Sequence, residues 1–413
     1  VFVTPAAVRP IDAVEAARLE AVARYGVLDS PPDDAFDRIA RIAARTFSAP
    51  MATVAIVARD RIWFKATYGL ADLREVDRRG GFSAATILED HPYVIRDAAR
   101  DPRTAGSVHV RGPLRVGFYA GAPITTADGH RIGAVNVLDT RPRRCAQRDL
   151  DTLTDLAALA MNQLDLQRAT QTAADHAEAL QRSLLPPTLP EVPGLSVAAH
   201  YHPASAARVG GDFYDVFALD AARWAFFLGD VEGHGTAAAA VTSLVRYTLR
   251  AAALHHDDPT DGLAELNRVL VGRTGERKFC TVLFGTVTAR ARGGHHIRLA
   301  TGGHLPALLL DPASGAVRPV RPHRGMFVGA VPDATFGECA FTLHPGQTLL
   351  LYTDGIVEAR PTAAGCFGED ALRRYLAPRV GSGASALIAD LADLVPTLRP
   401  ADDIALLALT ADH

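Results

Sequence analysis

RVGGDFYDVF, residues 208 to 217, sets two adjacent glycines directly before an aspartate in a run that otherwise alternates like a β-strand. Glycine weakens a strand, so a pair of them marks a turn or a place where another group comes close to the backbone. Three further segments share the design of an apolar strand with an aspartate at its end beside a small residue. They are Asp230 in GDVEGHG, Asp354 in YTDG, and Asp402 with Asp403 in ADDIALL. A carboxylate next to a buried strand is unfavourable unless it finds a cation or several donors. One Asp-Gly reads as a turn, but four such ends in one half of the chain call for cations. Oxygen donors without a Cys/His set at zinc spacing point to Mg2+ or Mn2+. Gly210 and Gly211 then read either as room for the backbone beside metal-bound water or as tight turns and nothing more.

Around this stretch the second half alternates strands and helices irregularly. RWAFFLGDVEG (223–233), FCTVLFGTVTA (279–289), HIRLATGGHLPALLL (296–310), QTLLLYTDG (347–355) and DDIALLAL (402–409) read as strands or strand pairs. Helices are predicted over 236–256, 261–273, 369–377 and 384–394. Many short strands with few, clustered helices predict two packed antiparallel sheets flanked by helices. The first half reads as α+β, with helices over 12–26 and 34–47 and strand pairs over 51–70 and 118–139. Between the halves, residues 150 to 185 hold few helix breakers, and PPTLPEVPG (186–194) must end that helix. Its apolar residues Leu156, Leu159, Leu166, Ala173, Ala177, Leu180 and Leu184 recur near heptad spacing, interrupted by Gln163 and Thr170. Either a parallel dimer seam or packing on the helix's own domain gives that pattern.

Composition bounds the function. The chain has 413 residues, enough for two domains, with 48% hydrophobic and 22% charged residues, an ordinary globular balance. A net charge of −3 offers no broad basic field for nucleic acid, and no apolar run approaches the roughly 20 residues needed to cross a bilayer. The segment VFVTPAAVRP lacks the regions of a secretory signal and reads as a loose leader, so a cytoplasmic protein is expected. Cys145, Cys280, Cys339 and Cys366 stand far apart and read as reduced, mostly buried thiols. His255, His256, His295 and His296 read as surface residues.

VGGDFYDVF, GDVEGHG, ATGGHLPALLL, LYTDGIVEAR and DDIALLAL, in that order, resemble the motif set of metal-dependent Ser/Thr protein phosphatases of the PPM family, in their SpoIIE-like, sigma-regulator branch. The resemblance spans residues 178 to 410 and implies an αββα sandwich with two Mn2+ or Mg2+ ions between the sheets. It implies Asp212 and Asp230 as core metal ligands, Asp230 bridging, the Val231 carbonyl adding a ligand, and Asp354 and Asp402 on one metal. Asp403 is either a neighbouring carboxylate or the alternative to Asp402. Metal-activated water would attack the phosphoserine or phosphothreonine phosphorus in line. His234 is a candidate acid for the leaving group or else a turn residue, and Arg208 a candidate phosphate binder or else a solvated side chain. Ala405 departs from the Thr or Ser common after this Asp pair, and Glu232 fills a variable slot.

VLDSPPDDAFDRIARIAARTF, VIRDAARDPR and FYAGAPITTADGHRIGAVNVLDTRPR resemble a GAF sensory domain over residues 15 to 168, its last helix running into the 150–185 connector. Ser83 stands where relatives often carry cysteine. The resemblance implies a regulated phosphatase acting on a phosphorylated STAS-type anti-sigma factor antagonist, as a homodimer, with an unidentified small ligand or none in the GAF domain. Two rivals are a catalytically silent scaffold of the same fold and a nucleotide cyclase suggested by Gly-Gly-Asp. Other cyclase signatures are absent from the sequence.

Overall fold

The computed structural model describes residues 12–70, 73–205, 208–273, 278–290, 293–361 and 365–412. The leader at residues 1–10 lies outside them. The chain divides into two compact units, one up to Thr172 and one from Ala173 onward.

The first unit opens with α1 (Ala13–Tyr25), whose N-cap Asp12 accepts from the Glu15 amide and whose end is turned by left-handed Gly26. Asp33, from the Pro-Pro-Asp-Asp stretch, caps α2 (Asp34–Thr46). β1 (Met51–Val57), β2 (Arg61–Tyr68) and β3 (Glu75–Asp77) follow, then α3 (Phe82–Thr86), β4 (Tyr93–Ile95) and α4 (Val108–Arg111). β5 (Phe118–Thr125) and β6 (Arg131–Asp139) complete an antiparallel sheet of order β3-β2-β1-β6-β5-β4. β1 is buried along its whole length because both faces of the sheet are covered. The helices α1, α2 and α5 (Gln147–Leu184) cover one face, with Leu153, Leu156, Ala157, Ala160, Met161 and Leu164 of α5 in that core.

The second unit contains β7 (Leu195–His202), β8 (Asp212–Ala218), β9 (Arg223–Val231), α6 (Thr236–His255), α7 (Pro259–Val271), β10 (Cys280–Ala289) and β11 (His295–Gly302). After them come β12 (Ala307–Asp311), β13 (Ala316–Val320), β14 (Gly337–Leu343), β15 (Thr348–Tyr352), α8 (Asp354–Glu358), α9 (Gly368–Leu376), α10 (Ala384–Leu394) and β16 (Ile404–Ala411). They form two five-stranded antiparallel sheets, β14-β11-β10-β9-β8 and β13-β12-β15-β16-β7. Leu228, Leu283, Leu309, Leu351 and Leu407 lie in the core between the sheets. A second core joins the first sheet to α6 and α7, and a third joins the other sheet to α9 and α10. This is the αββα layering the strand pattern predicts.

Strand alternation then sorts β8. Tyr214 and Val216 face the inter-sheet core, which puts Asp212 on that face, while Phe213 and Phe217 face α6. Asp215, on the α6 side, is fully buried and accepts from Arg246 Nε at 2.9 Å and Arg250 Nη1 at 2.7 Å. Arg246 also donates to the Leu184 carbonyl at the end of α5. Removing that carboxylate leaves a buried guanidinium unpaired, so Asp215→Asn is expected to lower stability by about 3 kcal/mol, read by denaturant unfolding.

The structure corrects several readings. The heptad seam is divided: Leu156 belongs to the first unit's core, Ala177 and Leu184 pack against Val209 and Ala239 of the second, and Leu159, Leu166 and Leu180 stay exposed. His295 is buried, because its place in β11 turns it inward, where its Nε2 meets the Pro193 carbonyl at 3.2 Å. His256 pairs with Glu265. All four cysteines are free, but only Cys280 is buried, and Cys366 is exposed.

Candidate active site

The five acidic residues gather on one rim of the sandwich, though not all at strand C-termini as the sequence reading had it. Asp212 begins β8, Asp230 is next to last in β9, Asp354 begins α8 after β15, and Asp402 and Asp403 precede β16. Antiparallel neighbours bring the start of one strand beside the end of the next, so both kinds of terminus share a rim.

Asp212 and Asp230 are direct cross-strand partners. Like charges placed opposite each other repel, and here both lie at the inter-sheet face. Asp212 is 2% exposed. Burial first, and then the Asp230 charge, hold its carboxyl well above the usual range. Burial followed by the charges of Asp354, Asp402 and Asp403 pushes Asp230 up to about 8. Burial also raises Asp354 and Asp403.

Asp212 is held in place by the second sheet. Its Oδ2 accepts from Thr353 Oγ1 at 2.6 Å, and that hydroxyl accepts from the Ala405 amide at 2.9 Å. A second clasp runs through His304 of the Gly-Gly-His motif. Its Nε2 donates to the Tyr352 carbonyl at 3.0 Å, which requires Nδ1 to accept from Thr281 Oγ1 at 2.7 Å. Thr281 is the β10 partner of Asp230. Burial lowers the His304 pKa to about 4, so the ring stays neutral and keeps this tautomer. Neither Thr353 nor His304 was identified as a site residue from sequence; His304 stands in a quoted motif, but its two partners lie 23 and 48 residues away.

Asp402 and Asp403 separate clearly. Asp403 is 7% exposed, and its Oδ1 accepts from the Ala204 amide at 2.8 Å. Asp402 is exposed, and its Oδ1 accepts from the Asp403 amide at 2.9 Å. The two therefore play different parts, with only Asp402 facing solvent.

The paired glycines are explained by contact. A Cβ on Gly210 would sit 1.9 Å from Asp403 Oδ2 and 2.2 Å from the Tyr201 hydroxyl oxygen. One on Gly211 would sit 2.2 Å from the Val231 carbonyl oxygen, 2.6 Å from Asp230 Oδ1 and 3.0 Å from the Gly233 carbonyl oxygen. The groups that demand glycine are thus protein oxygens, where the sequence reading had placed metal-bound water. Gly233 and Gly235 both adopt φ +85, which turns the chain from Asp230 into α6.

The basic groups stand at the mouth. Arg208 and His234 are exposed and in mutual contact, Nη1 to Nε2 at 3.4 Å. Lys278, not singled out from sequence, donates to the Glu232 carbonyl at 3.1 Å.

The donor set fits hard divalent cations: carboxylates and main-chain carbonyls converge, and the strongest charges acting on Asp230 are acidic. Among the described residues no group of three or more acidic, His or Cys side chains is placed to hold a metal ion by itself.

Residues 220–412 match the family model of stage II sporulation protein E (SpoIIE), and residues 31–164 match that of the GAF domain. Residues 220–412, which carry Asp230, Asp354, Asp402 and Asp403, thus form a SpoIIE domain of the PPM phosphatase class. The chain as a whole joins a GAF domain to that phosphatase domain.

The phosphoserine phosphatase RsbU of Bacillus subtilis is 23% identical over 59% of this chain and 71% of its own length. Protein IcfG of Synechocystis is 26% identical over 52% of this chain and 36% of its own. Cyclic di-GMP phosphodiesterase PA2567 of Pseudomonas aeruginosa is 37% identical over 38% of this chain and 27% of its own. The chain thus spans only about a quarter to a third of the last two. Among solved structures, the SiaA-PP2C domain of Pseudomonas aeruginosa is 24% identical, covering 60% of this chain and 99% of that one at a TM-score of 0.48.

Proposed function

We propose that the second unit hydrolyses phosphoserine or phosphothreonine on a protein, using two divalent cations, Mn2+ or Mg2+. The observation that carries this reading is the buried cross-strand pair Asp212–Asp230, with the Val231 carbonyl converging on the same point as Asp230 Oδ1. Asp212, Asp230, Asp354 and Asp402 would hold the ions with the Val231 carbonyl, Asp230 shared between them. Asp403, occupied by the Ala204 amide, would set the loop that carries Asp402. Bound cations supply an acidified water and neutralise phosphoryl charge. The chain's own residues orient the rest. Thr353 fixes one Asp212 oxygen, His304 ties β10, at the residue paired with Asp230, to the end of β15 just before Asp354, and Arg208, His234 and Lys278 attract the phosphate at the mouth. His234 is exposed beside Arg208, within reach of a leaving group that docks there.

The names of RsbU and of RsbP, both phosphoserine phosphatases of Bacillus subtilis, support a phosphoserine protein as substrate. A STAS-type anti-sigma factor antagonist is the specific partner proposed. GAF control would pass through α5, because Gln181 Oε1 accepts from the Gly210 amide at 2.8 Å, two residues before Asp212. A homodimer through α5 is proposed from Leu159, Leu166 and Leu180, exposed by 53%, 61% and 36% on one heptad stripe with Ala173. Leu166→Glu is expected to convert the dimer to monomer in light scattering, and a wild-type chain that is already monomeric would remove that part of the proposal.

The test of the reaction is hydrolysis of a phosphoserine peptide and p-nitrophenyl phosphate with and without Mn2+. Turnover dependent on Mn2+, and reduced about a hundredfold in Asp354→Asn, is the expected result. Bound metal without turnover would instead support the scaffold reading.

A further inference from the structure

The connection between β13 and β14 carries Met326, Phe327 and Val331, exposed by 43%, 46% and 39%. Among the described residues of the second unit, the other large apolar side chains left exposed are Leu180, Tyr247 and Leu254, on the helices α5 and α6. Single exposed apolar residues are ordinary, but neighbouring ones mark a contact surface. Phe327 lies flat on half-buried Phe279, with ring centroids 5.3 Å and planes 8° apart. At Gly303, beside His304, an added Cβ would stand 2.3 Å from Phe327 Cδ1, so the ring packs on that glycine's backbone.

The two rings stand on a pinned backbone. Val328 N donates to the Cys280 carbonyl at 3.0 Å, Cys280 N donates to the Val328 carbonyl at 2.9 Å, and Met326 N donates to the Thr335 carbonyl at 3.1 Å. Gly329 N donates to Asn267 Oδ1 at 2.7 Å, and the Phe279 carbonyl accepts from the Glu232 amide at 3.1 Å. A surface already ordered loses little freedom when a partner lands on it.

Its place is beside the acidic rim. Cys280 pairs with Val231 on one side and with Val328 on the other. All three lie in the core against α6, so alternation turns Asp230 and Phe279 to the opposite face, and the stacking puts Phe327 there with them. Two strand spacings, about 10 Å, separate Val231 from Val328, which an extended peptide covers in about three residues.

We propose that Phe279, Phe327 and Met326 form a specificity platform that takes a bulky apolar side chain of the phosphoprotein substrate, within about three residues of its phosphoserine. The proposal rests on the phosphatase reading and adds to it the sequence that the site selects. The stacked rings offer a flat apolar face and the methionine an adaptable one. This contact is made equally before and during the reaction, so it lowers KM and leaves kcat unchanged.

The test uses the full chain with Mn2+ and phosphoserine peptides of serine and glycine, in which one leucine is stepped from three residues before the phosphoserine to three after it. Leucine in at least one position is expected to raise kcat/KM at least tenfold over the leucine-free peptide, through KM. Phe327→Ser should remove that gain, and Phe327→Leu should keep much of it. Should Phe327→Ser fold poorly, Met326→Ser, which leaves the ring stack intact, should lower the gain at least threefold. p-Nitrophenyl phosphate has no flanking residues and reports on the reaction by itself. Its failure with Mn2+ would count against the phosphatase reading, and fluorescence polarisation of the labelled peptides then reads the leucine preference as affinity. The platform is overturned if no leucine position improves kcat/KM or affinity, if the gain comes through kcat alone, or if Phe327→Ser and Met326→Ser both keep it in full.

Discussion

Asp230→Asn should abolish metal-dependent turnover and, at the same time, make the metal-free protein more stable at alkaline pH. The two effects have one cause. Asp230 stands opposite Asp212 and is pushed up to about 8 by burial and by Asp354, Asp402 and Asp403. In the unfolded chain its carboxyl ionises at its ordinary pKa near 4. Between those values the folded state binds more protons than the unfolded one, so stability falls as pH rises. It is fully present below about pH 4 and is lost as pH climbs through about 8. The wild-type protein without metal should therefore melt at progressively lower temperature from pH 5 to pH 9, Asp230 alone contributing up to about 1.4 kcal/mol per pH unit. Mn2+ or Mg2+ should reverse the trend, because ions bind the ionised carboxylates and gain affinity as pH rises. Asn removes the charge while keeping the shape. The expected outcome is a flatter pH profile, a melting temperature insensitive to Mn2+, and turnover reduced at least a hundredfold, about 2.7 kcal/mol in the barrier. Scanning calorimetry with and without Mn2+ at three pH values measures all but the last. A variant that still responds to Mn2+ like the wild type would show that Asp230 holds no ion.

Much of this arrangement was legible beforehand, and what was missed has a physical pattern. The acidic motifs, the two-sheet layering and the α6 and α10 helices follow from period and punctuation, which are local properties. β7 escaped notice because LSVAAHYH is half-buried along its length and gives no clean alternation. Asp215 escaped because its value comes from Arg246 and Arg250, more than 30 residues away on a helix. The choice between Asp402 and Asp403 was readable in principle. Ala405, Leu407 and Leu409 face the inter-sheet core, and carrying that alternation back one step puts Asp403 on the same side, as its burial shows. His304 and Thr353 could not be assigned, since each acts by joining two strands whose adjacency only the folded sandwich creates.

Gly211→Ala should be nearly as damaging as losing a carboxylate, although it adds a single methyl group. The backbone at Gly211 lies outside the left-handed region, so alanine is conformationally allowed there. At such a position Gly→Ala ordinarily stabilises by about 0.4–1 kcal/mol, through the unfolded chain. Contact reverses the sign. The new Cβ would lie 2.2 Å from the Val231 carbonyl oxygen, a main-chain atom that cannot rotate away, and 2.6 Å from Asp230 Oδ1. Relief requires β8 to move off β9 at the point where Asp212 faces Asp230, which opens the proposed ligand set. A loss of more than 2 kcal/mol is expected, in the range of overpacked cores, together with a loss of Mn2+-dependent turnover. Gly210→Ala makes a graded comparison, because the nearest atoms its Cβ meets belong to the side chains of Asp403 and Tyr201 and not to the main chain. It should melt between the wild type and Gly211→Ala and retain partial turnover. If Gly211→Ala instead melts above the wild type and turns over normally, the close approach of Val231 and Asp230 to this strand is wrong, and with it the convergence of oxygens on which the two-cation reading rests.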